Sequence, residues 1–354
     1  MSIIEKIMQA LPEYECDAML VTSAINRQFA TGFESSAGAL LVTAGNAWFF
    51  TDSRYIEAAS AAIKDAQVRK VTVSDPYHVQ IKSLLDEYGI KKVGLETGAV
   101  SHDGYLEWKE KLEAELIPAQ KLLTGLRSIK TAGDLNKMKK AQRIAEKSYE
   151  QILPLISMDI TEKQLAAELI YRFLKNGADD TSFDPIIVSG PRSSMPHGVP
   201  GDVKIAKGFL TLDFGVRLGG WCSDTTRTLC IGKPDEEMIN VYETVLKAQE
   251  AGINAARAGV KASDVDAAAR NIIADAGYGE NFEHGFGHEL GLEVHEFLKA
   301  SPTSEDILPA GAVISAEPGI YLPGRFGVRI EDVICITETG CENITNLLKN
   351  LIIL

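Results

Sequence analysis

The sequence predicts two domains, an α/β domain over residues 1–125 followed by an α+β domain over residues 126–354. Three observations lead to this. Across residues 1–125, short apolar runs alternate with helix-like stretches, the pattern of a sheet layered with helices. At LLTGLRSIKTAGDLNKMKKAQ the alternation stops, and a long helical pattern begins after Gly133-Asp134. Beyond it, hairpin-forming segments mix with helices, as expected of the α+β class. A chain of 354 residues is long enough to give each domain its own core.

In chain order, the runs AMLVT, ALLVT, AWFFT, VRKVTV and KVGLE predict strands, being rich in β-branched and aromatic residues. Helical stretches lie near 2–11, 55–64, 77–88 and 102–115. In the second domain a helix opens on the capping box Thr161-Glu162-Lys163-Gln164, whose end residues satisfy each other's backbone N–H groups. Two further helices are expected near 235–258 and 262–276, and no internal repeat or low-complexity segment occurs.

Composition narrows the function. Hydrophobic content of 45% with 24% charge is that of an ordinary globular protein. A formal net charge of −13 disfavours nucleic acid and anionic membranes as partners. No apolar run approaches the roughly 20 residues of a membrane span. The amino terminus MSIIEKIMQALPEYE is amphipathic and acidic, without the basic region of a signal peptide. Five cysteines in no framework spacing suggest reduced thiols and a cytoplasmic location.

The chemistry-bearing residues fall in two hairpins and one histidine cluster. In LTLDFGVRLGGWCSDTTRT (210–228), a turn centred on Gly219-Gly220 sets Asp213 across from Thr226, with Asp224 its diagonal neighbour on the same face. In AVISAEPGIYLPGRFGVRIEDVICI (312–336), a turn centred on Gly324 sets Glu317 opposite Glu331, and Arg329 shares their face. Pro318 cannot donate to a ladder, so a bulge or break is expected beside Glu317. The cluster EHGFGHELGLEVHE (283–296) adds His288. Four carboxylates held together repel, and two dications remove that difficulty. Four hard oxygen donors with one imidazole suit Mn, Co or Zn and point to a metal-dependent hydrolase.

Other motifs fail in context. Asp213-Phe214-Gly215 spells a kinase element without the accompanying glycine-rich or catalytic loops. His288-Glu289 begins like HExxH, but position 292 is Leu. The cysteines form no CxxC pair, and Ser189-Gly190-Pro191-Arg192 reads as a turn and not a phosphate loop.

The motifs SFDPIIVSGPRSSMPHG, LDFGVRLGGWCSDTTRT, HGFGHELGLEVHE, SAEPGIY and GVRIEDVI resemble those of the creatinase/aminopeptidase P/prolidase family of pita-bread metallopeptidases. The stretch INRQFATGFESSAGALLVTAGNAWFFTDSRY resembles that family's creatinase-like N-terminal domain, and the resemblance spans nearly the whole chain. It implies a creatinase-like α/β domain followed by a pita-bread catalytic domain. The implied activity is Xaa-Pro hydrolysis with two divalent ions, manganese first among them. Asp213 would ligate the first ion, Asp224 and Glu331 would bridge, and His288 and Glu317 would complete the second. Glu317 would also shuttle the proton, His295 and His197 would stabilise the oxyanion, and His284 would support them. Arg329 and Tyr321 are candidates to orient ligand carboxylates. The implied substrate is a peptide with proline at its second position, and the implied assembly is a homodimer.

Two positions depart from the family pattern. Glu289 stands where many relatives have a small residue, and it could bind the substrate amine or point to solvent. Lys299 stands where some prolidases have an arginine for the substrate carboxylate; it could serve as a point charge or be an ordinary surface lysine. His78 and His102 lie outside the motifs and read as surface or satisfied core residues.

Overall fold

A computed structural model describes all residues 1–354. The chain separates into two compact units, Met1–Arg127 and Ser128–Leu354.

The first unit is built on a six-stranded mixed sheet, in the order Gln67–Lys70, Ala47–Thr51, Ala39–Thr43, Ala18–Val21, Lys92–Leu95, Glu115–Pro118. Strand alternation sends Met19, Val21, Leu40, Val42 and Phe49 into the core on one face. Leu20, Leu41, Trp48 and Phe50 enter a second core on the other. Both faces are covered, so these strands read as unbroken apolar runs. The expected helices form as Ile3–Ala10, Ile56–Ala62, Tyr77–Glu87 and His102–Leu112. The last is shorter than 102–115, because Glu113 turns left-handed with φ of 54° and the chain re-enters the sheet as Glu115–Pro118. A helix at Ala24–Thr31 was not anticipated. Ser23 caps it by accepting a hydrogen bond from Asn26 N, although the run itself lacks an apolar stripe.

In the second unit, two helix pairs pack against sets of antiparallel strands. Helices Ala132–Ile152 and Glu162–Lys175 cover Ile187, Leu210, Leu212 and Phe214. Helices Glu236–Ala255 and Ala262–Asp275 cover Ile314, Ala316, Val328, Ile330 and Ile334. The capping box at Thr161 and Gln164 forms as expected, and Thr131 with Asp134 makes a second one. Alternation decides what is left over. Because Leu212 and Phe214 point to the helices, Asp213 points away from them; because Ile330 does, Arg329 and Glu331 point away. The pattern that builds the cores therefore delivers the polar residues to the opposite side. No helix is long and apolar enough to cross a membrane.

Candidate metal centre

The first hairpin turns at Gly219 and Gly220, with φ of 57° and 85°. Arg217 pairs with Cys222 across the turn, and further out Asp213 pairs with Thr226, the register expected from the turn centre. Between these ladders the strands are pinched: a Cβ on Gly215 would stand 2.0 Å from the Ser223 carbonyl oxygen. Only glycine permits that approach, and it sits beside Asp224.

The second hairpin turns at Gly324, with φ of 71°. Gly319 pairs with Arg329, and beyond a break Ala316 pairs with Asp332. The register is unchanged across the break, so Glu317 and Glu331 face each other in the unpaired step, beside Pro318. With no partner in their own ladder, their N–H groups tie the motifs together. Glu317 N donates to Phe286 O at 2.8 Å, and Glu331 N donates to Thr226 O at 3.1 Å.

His288 lies in a short strand paired with Lys299-Ala300. Its backbone N–H donates to Ser315 Oγ at 2.9 Å, and Ser315 Oγ donates to Glu317 Oε1 at 3.0 Å. His288 Nε2 stands 3.3 Å from Glu317 Oε1 and 3.6 Å from Asp224 Oδ2. Donor atoms of Asp224, His288 and Glu331 all lie within 4.8 Å of one another. The neutral ring of His288 donates Nδ1–H to the Glu289 carbonyl at 3.2 Å, which leaves the Nε2 lone pair free for a cation.

Arg329 organises the other side. Its guanidinium donates to Asp213 Oδ2 at 2.5 Å, Thr226 Oγ1 at 3.0 Å, Tyr321 Oη at 2.9 Å and Pro196 O at 3.1 Å. Thr226 Oγ1 in turn donates to Glu331 Oε2 at 2.7 Å, and Tyr321 Oη meets His284 Nε2 at 3.0 Å. Thr226 and Ser315 were not singled out from sequence. Thr226 was within reach, since the register already placed it opposite Asp213.

Asp213, Asp224, His288, Glu317, Arg329 and Glu331 line one cavity of about 580 Å³ together with His197, His284, His295 and Lys299, whereas Tyr321 stands behind its wall, hydrogen-bonded to Arg329 and His284. His197, His295 and Lys299 are exposed in its wall, and the His295 ring is centred 4.2 Å from that of His288. Glu289 takes neither of its expected roles. It is fully buried, 2.8 Å from Lys130 Nζ.

The electrostatics fit a dication site. Burial, then the charges of Glu331, Asp213 and Glu317, push the Asp224 pKa well above the ordinary range. Burial and the neighbouring Glu317 and Asp213 do the same for Glu331, and burial raises Glu317. Burial also holds His284 and His288 low, hence neutral. Among all buried carboxylate oxygens, only Asp213 Oδ1 and Glu331 Oε1 lack a hydrogen-bond partner. Buried carboxylate oxygens without a hydrogen-bond partner beside a neutral imidazole are donors of the kind that hold a divalent cation.

Carboxyls with raised folded pKa values stabilise the metal-free chain below about pH 4, where both states are protonated, and that contribution is lost as pH rises through the folded values. A divalent ion binds the ionised form and reverses the loss. The rise in Tm on adding Mn²⁺ to chelated protein is therefore expected to grow between about pH 5 and about pH 8. Scanning calorimetry across that range checks it, and a pH-independent increment would contradict the ligand set.

Comparison with known proteins gives two family matches. Residues 136–338 match the model of metallopeptidase family M24, and residues 3–129 match that of the creatinase/prolidase N-terminal domain. The chain is 35% identical over 352 residues to an Xaa-Pro dipeptidase of Pyrococcus horikoshii, covering 99% of this chain and 98% of that protein. It superposes on the structure of an Xaa-Pro dipeptidase from Bacillus anthracis with a TM-score of 0.95, at 38% identity and 99% coverage of both chains. An X-Pro aminopeptidase from Thermotoga maritima gives a TM-score of 0.92 at 33% identity, covering 98% of this chain and all 100% of that one.

Proposed function

This chain belongs to metallopeptidase family M24, and on that premise we propose that it is a dinuclear metal-dependent exopeptidase hydrolysing the Xaa-Pro bond at the amino terminus of peptides. The observation that carries the reading is the convergence of Asp213, Asp224, His288, Glu317 and Glu331 on one cavity with two orphaned carboxylate oxygens.

Asp213 would hold one ion, His288 and Glu317 the other, with Asp224 and Glu331 shared. Two divalent ions there, manganese in our reading with cobalt or zinc as alternatives, supply an acidified water and a Lewis acid. The protein's own groups do the rest. Glu317, whose carboxyl is raised by burial, accepts the nucleophile's proton and returns it to the leaving nitrogen. The exposed rings of His295 and His197 donate hydrogen bonds to the carbonyl oxygen as it becomes anionic. Tyr321 fixes the His284 ring, and Arg329 fixes Asp213 directly and Glu331 through Thr226. Family resemblance supports a homodimer, and five free cysteines support a cytoplasmic location.

A second reading restricts the substrate to dipeptides, and Lys299 favours it. Its ammonium stands in the cavity wall, where the carboxylate of an Xaa-Pro dipeptide could meet it. The test is kcat/KM of manganese-loaded protein on an Xaa-Pro dipeptide and on the same dipeptide extended by several residues. Preference for the dipeptide assigns prolidase action; preference for the longer peptide assigns aminopeptidase P action; cleavage of neither rejects the proposal. Lys299→Ala is expected to lower dipeptide cleavage by about tenfold with a smaller effect on the longer peptide. Equal effects would make Lys299 a surface residue.

A further inference from the structure

Lys130 belongs to none of the motifs, yet its ammonium is buried. Nζ lies 2.8 Å from Glu289 Oε1 and 2.9 Å from Glu296 Oε2, and none of the three side chains is more than 1% exposed. The two acids have a shared position in the chain: Glu289 directly follows His288, and Glu296 directly follows His295.

The carboxylates also hold the segment between the histidines. Glu289 Oε2 accepts from Phe297 N at 3.2 Å and Leu298 N at 3.1 Å, as well as from Ser128 Oγ at 3.2 Å. Glu296 Oε1 accepts from Leu292 N at 3.0 Å, and it packs so closely on Gly291 that a Cβ there would stand 2.7 Å away. Glu289 N donates to Leu298 O and Glu296 N to Glu289 O, each at 2.8 Å. The segment is thus wound around two carboxylates that both pair with Lys130. Lys130 is itself anchored, since its backbone N–H donates to Gly311 O at 2.9 Å and the next residue caps a helix.

Stability alone does not account for this arrangement. Desolvating three charges costs about as much as their attraction returns, and an apolar replacement of the same volume often serves as well. A hydrogen-bonded ion triad does impose direction and spacing, which an apolar contact does not. We propose that Lys130 is a positioning residue: through Glu289 and Glu296 it fixes the backbone carrying His288 and His295, and so the separation between a metal ligand and an oxyanion donor. The proposal rests on the roles assigned to those two histidines above.

The double variant Lys130→Met/Glu289→Gln removes one positive and one negative charge, so the cluster keeps its formal charge and loses the tether. Relative to wild type, the Mn²⁺ Kd measured by calorimetry on the chelated protein is expected to rise about 10- to 100-fold. On an Xaa-Pro dipeptide kcat should fall at least about tenfold, with KM within about twofold. Amide exchange across residues 287–299 of the metal-free protein should quicken. Leu165→Ala, a core change in the helical layer, is the control for plain destabilisation. It should lower Tm while leaving Kd, kcat and exchange in that segment unchanged. Should the double variant not fold, Lys130→Arg keeps the charge and displaces the carboxylates, and it should still lower kcat and weaken Mn²⁺ binding. Wild-type Kd and kcat in a folded variant overturn the positioning role alone. A wild-type protein that binds no Mn²⁺ and cleaves no Xaa-Pro bond overturns the reading of the site, and this proposal with it.

Discussion

Asp224→Asn is expected to lower kcat on Xaa-Pro substrates by about 10³-fold or more while leaving the circular dichroism spectrum near native. In the proposed site Asp224 serves the metal and not the fold. Asp224 is 4% exposed, and its carboxyl is raised by burial and by the charges of Glu331, Asp213 and Glu317. In the metal-free protein its negative charge is therefore a cost at neutral pH, and the isosteric neutral amide removes it. The variant should be at least as stable as wild type without metal and gain much less Tm when Mn²⁺ is added. His288→Ala should abolish hydrolysis equally, because it deletes the imidazole whose Nε2 lies within 4 Å of the proposed ligands Asp224 and Glu317. Metal analysis is expected to give about two divalent ions per wild-type chain and fewer in either variant. Full activity in either would remove the carboxylate–histidine site from the mechanism.

Much of this site was legible because hairpins are arithmetic. Once a turn is centred, the partner of every residue follows, and a period of two assigns its face. Asp213 opposite Thr226 and Glu317 opposite Glu331 follow from Gly219-Gly220 and Gly324 in this way. Pro318 was readable for the same reason, and the ladder does break beside it. The first unit was legible where its strands are buried on both faces. It was not at Ala24–Thr31, where a capping serine and not an apolar stripe marks the helix. The environment of Glu289 could not be read from sequence at all. A glutamate in a glycine-rich loop has the local signature of a solvated charge, and its partner Lys130 stands 159 positions away. Arg227 is similar: it looks like a strand-face charge, but it is 2% exposed, bonded to Asp332 and to the carbonyls of Glu331, Leu347 and Leu348. Local pattern reports which face a residue takes. It does not report a long-range partner that makes burial of a charge tolerable.

Arg329→Met is expected to lower Tm of the metal-free protein by roughly 10 °C, the consequence of stripping a buried carboxylate of its counter-ion, which costs about 3–5 kcal/mol. Burial opposes the charge on Arg329, but Tyr321, Asp213 and Glu317 outweigh it and hold the guanidinium firmly protonated. Removing it leaves Asp213 Oδ2, Tyr321 Oη and the Pro196 carbonyl each short of a donor. Pro196 immediately precedes His197, so the loop bearing this proposed oxyanion donor loosens along with the proposed ligand Asp213. Activity should fall by about 100-fold. Bound cations offset the repulsion that the guanidinium had screened, so the Tm deficit should shrink in saturating Mn²⁺ while the loss of kcat persists. Arg329→Lys separates charge from shape: one ammonium can pair with Asp213 but cannot also reach Thr226 and Tyr321 in the fixed fork of a guanidinium. The lysine variant should recover much of the Tm and little of the kcat. Full recovery of both would reduce the role of Arg329 to a neutralising charge, and recovery of neither would place its contribution in packing.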